Sequence, residues 1–310
     1  MPRTAPWLDR LFLTDAGLET DMVFNRGFDL PFFSSLTLLR TQEGQRELTA
    51  YYRGFLDLAA RLRTGFILES ATWRASADWA EPLGLDEVRL DELNREAVAM
   101  LLQLKTEYAS PDAPVLVSGC IGPRGDGYDP GRSMSADEAS AYHGQQAKVL
   151  MDAGADMLSA ITMTNIPEAV GIVRAAAAVH APVVISFTVE TDGRLLTGES
   201  LSDAIDAVDA ATDAYPAYYM INCAHPTHFA PALREGERWT GRIQGVRANA
   251  SRCSHAELDV MTELDAGEPA ELASSYVTLR KRFPHLLVLG GCCGTDLSHV
   301  SAIAEACVRA

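Results

Sequence analysis

The chain has 310 residues, 47% hydrophobic and 22% charged, a globular composition that excludes disorder over most of its length. With 26 basic and 42 acidic residues its formal net charge is −16, which argues against a nucleic-acid or anionic-membrane partner. No apolar run reaches the ~18 residues needed to span a bilayer and no export signal is evident in Met1 to Arg10, so a cytoplasmic location is expected.

Eight short apolar runs are predicted as strands: 11–14, 66–70, 115–118, 156–160, 183–188, 218–222, 242–246 and 286–289. Most are apolar on nearly every residue, as strands buried on both faces of a parallel sheet must be. Amphipathic segments separate them. Between the second and third, 86–105 places Leu90, Leu93, Ala97, Met100, Leu101 and Leu104 on one helical face. Ser135 with Glu138 forms a capping box for the next helix, which should stop at Gly154. Asn165, Pro167 and Glu168 open a helix that ends before Pro182, and Ser202, Pro269 and Thr295-Asp296 mark three more starts. Eight strand–helix units in one domain over 1–310 fit an α/β fold of the (β/α)8 barrel type better than an open sheet. Loops 122–133 and 190–200 follow strand ends, where a barrel builds its active site.

Six cysteines in a chain of this size read as reduced thiols, metal ligands or core residues rather than as a disulfide scaffold. Gly290-Gly291-Cys292-Cys293-Gly294 directly follows the eighth strand, and Cys223 directly follows the sixth. Residues of alternate strands point into the same layer of a barrel, so the three thiols of Cys223, Cys292 and Cys293 can converge on a zinc ion, leaving its fourth tetrahedral position open. The flanking glycines allow the sharp turn that two adjacent ligands need. Cys120 and Cys307 read as small buried side chains, and Cys253 as core or rim.

On these elements the chain resembles the homocysteine S-methyltransferase family, with Asn222-Cys223, Gly290 to Thr295, Asp15 to Thr20, Ser118 to Pro123 and Ala248-Asn249 as matching motifs. The resemblance covers nearly the whole chain and implies a zinc-bearing barrel that moves a methyl group from a sulfonium or quaternary ammonium donor to a thiol. Homocysteine is the implied acceptor, methionine the product, and Cys223, Cys292 and Cys293 the implied ligands. It also places Asp15, Gly17 and Thr72 near the acceptor's amino-acid head, with Asn249 in a further matching motif.

At the fourth strand Ile161 stands where the family carries a Glu that grips the substrate amine. A relocated carboxylate, Glu69 or Glu190, is the expected substitute; a different acceptor and a one-residue slip in the match are the other readings. Trp73-Arg74 departs from the pair found in betaine-dependent relatives, while Trp73, Trp79, Tyr128 and Tyr218 are candidate faces for a cationic donor. His225-x-x-His228 is a candidate source of a fourth ligand, with capping as its plain alternative. Rival functions are a zinc hydrolase or lyase barrel, methyl transfer to another thiol or from a corrinoid protein in trans, and a non-catalytic zinc- or redox-sensing barrel. The missing His-x-His after the first strand argues against an amidohydrolase.

Overall fold

The computed structural model describes residues 5, 7–129, 131 and 133–309; Met1 to Thr4 and Pro6 of the segment read for an export signal, Pro130 and Arg132 of the loop 122–133, and Ala310 lie outside the described residues. Eight parallel strands follow one another round a closed barrel, with the first paired to the eighth. They are β1 (Phe12–Leu13), β2 (Gly65–Glu69), β3 (Val115–Ile121), β4 (Met157–Met163), β5 (Val183–Phe187), β6 (Tyr218–Asn222), β7 (Ile243–Ala248) and β8 (Val288–Gly291). The expected (β/α)8 architecture is thus the observed one. Strands β3, β4, β7 and β8 run on past their predicted ends.

Side-chain alternation sorts each strand between two cores. On β2, Phe66 and Leu68 pack outward under the helices, whereas Ile67 joins Phe12, Met157, Val184, Tyr218, Met220 and Val288 inside the barrel. The next inward positions towards the strand C-termini are polar: Glu69, Ser118, Ser159, Ser186, Asn222 and Arg247, all buried. An apolar plug below and a polar layer above is what positions the site. The ladder between β4 and β5 shifts register between Ala160 and Met163, which re-aims Ile161 and Thr162 at the rim.

The crossovers follow local sequence signals. Helix α1 is Gln42–Leu62, and α2 is Glu87–Tyr108, capped by the Asp86 side chain. On α2 the predicted face is buried except for Met100, which is half-buried. Helix α3 (Ala136–Asp152) carries the Ser135–Glu138 capping box and stops short of Gly154; α4 (Ile166–Ala178) is capped by Asn165. Helix α5 (Leu201–Ala211) takes Ser200, not Ser202, as its cap.

The sixth crossover departs from the regular alternation: its only α-helix among the described residues is α6, the four-residue Pro226–Phe229. Pro231 and the left-handed Gly236 (φ 83°) follow it, and neither suits a continuing helix. Arg242, predicted to open the seventh strand, lies just before it in a 3-10 turn. Its buried guanidinium pairs with Asp209 at 3.0 Å and donates to the Pro216 carbonyl at 2.7 Å. After β7 come α7 (His255–Asp259) and α8 (Pro269–Arg282), which has the predicted proline in its first turn; α9 (Leu297–Arg309) follows β8. No helix among the described residues is long and apolar enough to cross a membrane.

Candidate active site

The sixth and eighth strands end in backbone shaped to aim cysteines at the barrel axis. Asn222, fully buried at the end of β6, ties this region together. Its Oδ1 accepts from the Thr162 N–H at 2.9 Å and the Ser186 hydroxyl at 2.6 Å. Its Nδ2 donates to Thr162 Oγ1 at 2.8 Å and lies 3.7 Å from the Cys292 sulfur. Cys223 then turns into the left-handed region (φ 51°), a conformation that costs a non-glycine residue about 1–3 kcal/mol and persists only where its surroundings impose it. Two contacts impose it here: the Cys223 N–H donates to the Arg247 carbonyl at 3.2 Å, and His255 Nε2 lies 2.7 Å from the Cys223 carbonyl. After β8, the Cys292 N–H donates to the Ala248 carbonyl at 2.9 Å. Gly294, at φ 78°, closes the turn that carries Cys293.

The sulfurs of Cys223, Cys292 and Cys293 all lie within 4.8 Å of one another. Those of Cys223 and Cys292 are joined as a disulfide across 69 residues, a state absent from the sequence expectation, and Cys293 Sγ is 3.9 Å from Cys223 Sγ. A joined pair offers no thiolate; when it is reduced, three sulfur donors share one place. Among the described residues this is the one metal-capable group, and it contains neither histidine nor carboxylate. Three sulfurs without a hard oxygen donor suit a thiophilic divalent ion with one position left open.

A cavity of about 370 Å³ lies against the three cysteines. Strand-end residues Asp15, Glu69, Cys120, Ile161 and Arg247 line it, together with Gly17 and the side chains of Phe24, Phe33, Trp73, Tyr128, Leu258 and Met261 from the segments beyond the strand ends. Its lining holds the carboxylates of Asp15, Glu19, Glu69, Asp126, Asp259, Glu263 and Asp265 against the guanidiniums of Arg74 and Arg247. That excess of negative charge favours a cationic visitor.

Arg247, which the sequence reading passed over, organises the inner wall. Its Nη2 donates to Asp15 Oδ1 at 2.6 Å and its Nε to the Gly291 carbonyl at 3.1 Å. The Tyr51 hydroxyl adds a 3.3 Å contact to the other Asp15 oxygen. Burial raises the Asp15 carboxyl above its ordinary range, against the opposing pull of Arg247. Burial likewise pushes Glu69 up to about 7, with Arg247, 3.9 Å away at its closest, pulling the other way. The sequence did carry a signal for both residues, a charged side chain at the inward-facing end of an apolar strand. For Arg247 the predicted strand stopped one residue too early.

Of the nine residues singled out from the sequence, Asp15, Gly17, Glu69 and the three cysteines line the cavity, whereas Thr72, Glu190 and Asn249 do not. Thr72 is fully buried with its hydroxyl committed to the Cys120 carbonyl at 2.7 Å, so it has no free group for a substrate head. Glu190 Oε1 lies 3.0 Å from His255 Nδ1, behind the Cys223 carbonyl rather than in the cavity. Asn249 is buried, and its side chain acts on the Tyr128 hydroxyl, pulling against the rise that burial causes there. That hydroxyl lies 3.4 Å from Cys293 Sγ, and the Tyr128 ring stacks on His255 at 4.2 Å.

Of the four candidate aromatics, Trp73 and Tyr128 reach the cavity; Trp79 packs under Arg74 and Tyr218 belongs to the inner core. His225 caps α6 and lies 2.8 Å from Thr227 Oγ1, while His228 meets the Arg252 carbonyl at 3.0 Å. Neither joins the sulfur cluster, so the capping reading holds. Burial takes His225 down to about 4.

A closed (β/α)8 barrel whose strand C-termini carry three converging thiols beside an acidic cavity is the frame of a barrel enzyme with its chemistry at that face. The chain belongs to the homocysteine S-methyltransferase family, whose model matches residues 12–307, and it is accordingly a methyltransferase. It is 26% identical over 308 residues to the homocysteine S-methyltransferase of Escherichia coli, covering 94% of each chain. It is 29% identical over 229 residues to the methionine synthase of Mycobacterium tuberculosis, which takes in 70% of this chain but only 18% of that longer protein. The crystal structure of the E. coli homocysteine methyltransferase MmuM in its metallated form superposes with a TM-score of 0.73 at 22% identity, covering 96% of both chains. The oxidized form of the same enzyme gives 0.73 at 23% identity. These likenesses place the fold.

Proposed function

We propose that the protein transfers a methyl group from a sulfonium or quaternary ammonium donor to the sulfur of homocysteine, giving methionine, with zinc held by Cys223, Cys292 and Cys293. The observation that carries this reading is the convergence of three sulfurs within 4.8 Å at the wall of an acidic cavity. When bound, zinc would supply the positive charge that keeps an acceptor thiol, ordinarily near pKa 8.5, in its nucleophilic thiolate form at neutral pH.

The chain's own residues hold and shield the reactants. Asn222 fixes the Cys292 side chain, and the Tyr128 hydroxyl reaches Cys293. Asp15, Gly17 and Glu69 stand where an acceptor's polar head would lie, and the rim carboxylates draw in a cation. Trp73 and Tyr128 offer aromatic faces to a donor that is charged before the reaction and neutral after it, an arrangement that favours the cationic form. The acceptor sulfur's electron pair forms the new carbon–sulfur bond while the donor's carbon–heteroatom bond breaks and leaves its electrons on the departing group. The thiol's proton passes to solvent as the thiolate forms, so the proposal needs no protein nucleophile or base. Phe24, Phe33, Leu258 and Met261 add apolar surface to the cavity around the transferring methyl group.

The test uses reduced, zinc-loaded protein with homocysteine and a panel of sulfonium and ammonium donors, beside the Cys292→Ala variant. Methionine should form with at least one donor, and the variant should lose both zinc and turnover while keeping its barrel circular-dichroism signal. Full zinc in Cys292→Ala, or no methionine from any donor, overturns the proposal.

A further inference from the structure

Arg247 and Glu69 face each other across the inner wall of the cavity without closing on each other. Of the guanidinium's five N–H groups, the one on Nε serves Gly291 and the two on Nη2 serve Asp15 and Ala16. Nη1 makes no hydrogen bond among the described residues and stands 3.9 Å from Glu69 Oε1, beyond hydrogen-bonding range. On the other side, Glu69 is 5% exposed; the Ser118 and Ser159 hydroxyls bond its carboxylate, but its buried Oε2 has no hydrogen-bond partner. Buried polar groups are paired in the great majority of folded proteins, so a carboxylate oxygen with no partner, beside a guanidinium nitrogen held only by a loose 3.9 Å ion pair, leaves room in the cavity wall for a ligand that completes both.

Asp15 does not fill that role. One of its oxygens is committed to Arg247 at 2.6 Å and the other meets Tyr51, so its charge is already answered within the protein. Ile161 and Trp73 make the neighbouring wall apolar; of the other charged groups in the lining, Glu19 accepts from the Ser35 hydroxyl at 2.7 Å and Arg74 pairs with Asp126 at 2.7 Å. The sulfur end of a ligand is fixed as well. Arg247 pairs in register with Asn222 on one side and Gly290 on the other, so it sits one residue below Cys223 and two below Cys292. A short thiol with its sulfur at the cysteines therefore brings its far end to this pair.

We infer that Arg247 Nη1 and Glu69 Oε2 read the two charges of a zwitterionic thiol amino acid, Arg247 its carboxylate and Glu69 its ammonium, with Asp15 a positioning residue that holds the guanidinium. This deepens the proposed function and rests on it for the placement of the acceptor sulfur. Arg247 becomes a specificity residue, and the acceptor is defined by both charges rather than by the amine alone.

Three thiols separate the charges: homocysteine, 4-mercaptobutyrate without the amine, and 3-mercaptopropylamine without the carboxylate. Each is titrated calorimetrically into reduced, zinc-loaded protein and then assayed as an acceptor. The parent should prefer homocysteine to both analogues. Glu69→Gln should shrink the preference over 4-mercaptobutyrate by about 10- to 100-fold, and Arg247→Lys the preference over 3-mercaptopropylamine by a similar factor, the scale of one charge-assisted contact. The change should fall on the dissociation constant and KM more than on kcat. If Arg247→Lys does not fold, the Glu69→Gln ratios decide alone. Preferences that stay at parental values in the folded variants overturn the inference. A parent that binds homocysteine over both analogues but methylates none of the three sinks the proposed function and leaves this reading standing.

Discussion

Glu69 offers the sharpest physical test, because its environment makes folding stability depend on pH in a calculable way. The carboxyl has an ordinary value of 4.5, and burial raises it to about 7 in the folded chain. Above pH 4.5 the unfolded chain gives up this proton while the folded chain still holds it, so the native state binds more protons and stability falls as pH rises. The fall ends near pH 7, where the folded carboxyl also ionises. At about 1.36 kcal/mol per pH unit the whole loss is roughly 3 kcal/mol, of which about 2.5 kcal/mol falls between pH 5 and pH 8. Glu69→Gln removes the ionisable group and keeps its shape, so the variant should gain on the parent by that amount over the same interval. For 310 residues the unfolding entropy is roughly 0.65 kcal/mol/K, and the gain reads as about 4 °C in Tm. The assay is differential scanning calorimetry of both proteins, reduced and metal-free, at pH 5 and pH 8. Other titrating groups cancel in the difference between parent and variant. If the Tm difference is the same at both pH values, Glu69 is ionised throughout and the reasoning about its burial is wrong.

Two further substitutions probe the cysteine turn. Gly17→Ala would place a Cβ 2.5 Å from both the Cys292 carbonyl oxygen and Thr20 Oγ1. The backbone beside Cys292 must then move, so zinc content should drop while the melting temperature falls by only a few degrees, in keeping with about 1–3 kcal/mol of overpacking; zinc binding at parental affinity would show that the turn tolerates the displacement. Tyr128→Phe removes the hydroxyl 3.4 Å from Cys293 Sγ, and a zinc-chelator competition should find affinity weaker by about 3- to 10-fold, the scale of one hydrogen bond near 1 kcal/mol. Unchanged affinity would mean that this contact does not act on the sulfur.

Much of this protein is local and was therefore readable along the chain. Runs apolar on both faces mark buried parallel strands, and β6 (Tyr218–Asn222) lies where the sequence placed it. Helix starts at Asp86, Ser135 and Asn165 rest on a side chain reaching a backbone N–H three residues away, a contact that needs no tertiary partner. The two cysteine elements stood out because their strands end beside them, and the barrel's geometry alone then brought the three thiols to one face. Strand ends were less legible, since an exposed rim and a packed interior favour different residues within one or two positions. The prediction stopped the seventh strand at Val246, and Arg247 was lost with it.

What only the tertiary structure decided is which polar groups meet. Asp15 and Arg247 are 232 residues apart and touch because β1 closes onto β8 beside β7. Thr72 and Glu190 sit near strand ends as the sequence suggested, yet hydrogen bonds turn one to the Cys120 carbonyl and the other to His255, away from the cavity. Sequence spacing fixes the face of a strand on which a side chain emerges. Which neighbour then takes its hydrogen bond depends on chain segments far away, and in a closed barrel that choice separates a residue lining the cavity from one that supports the wall.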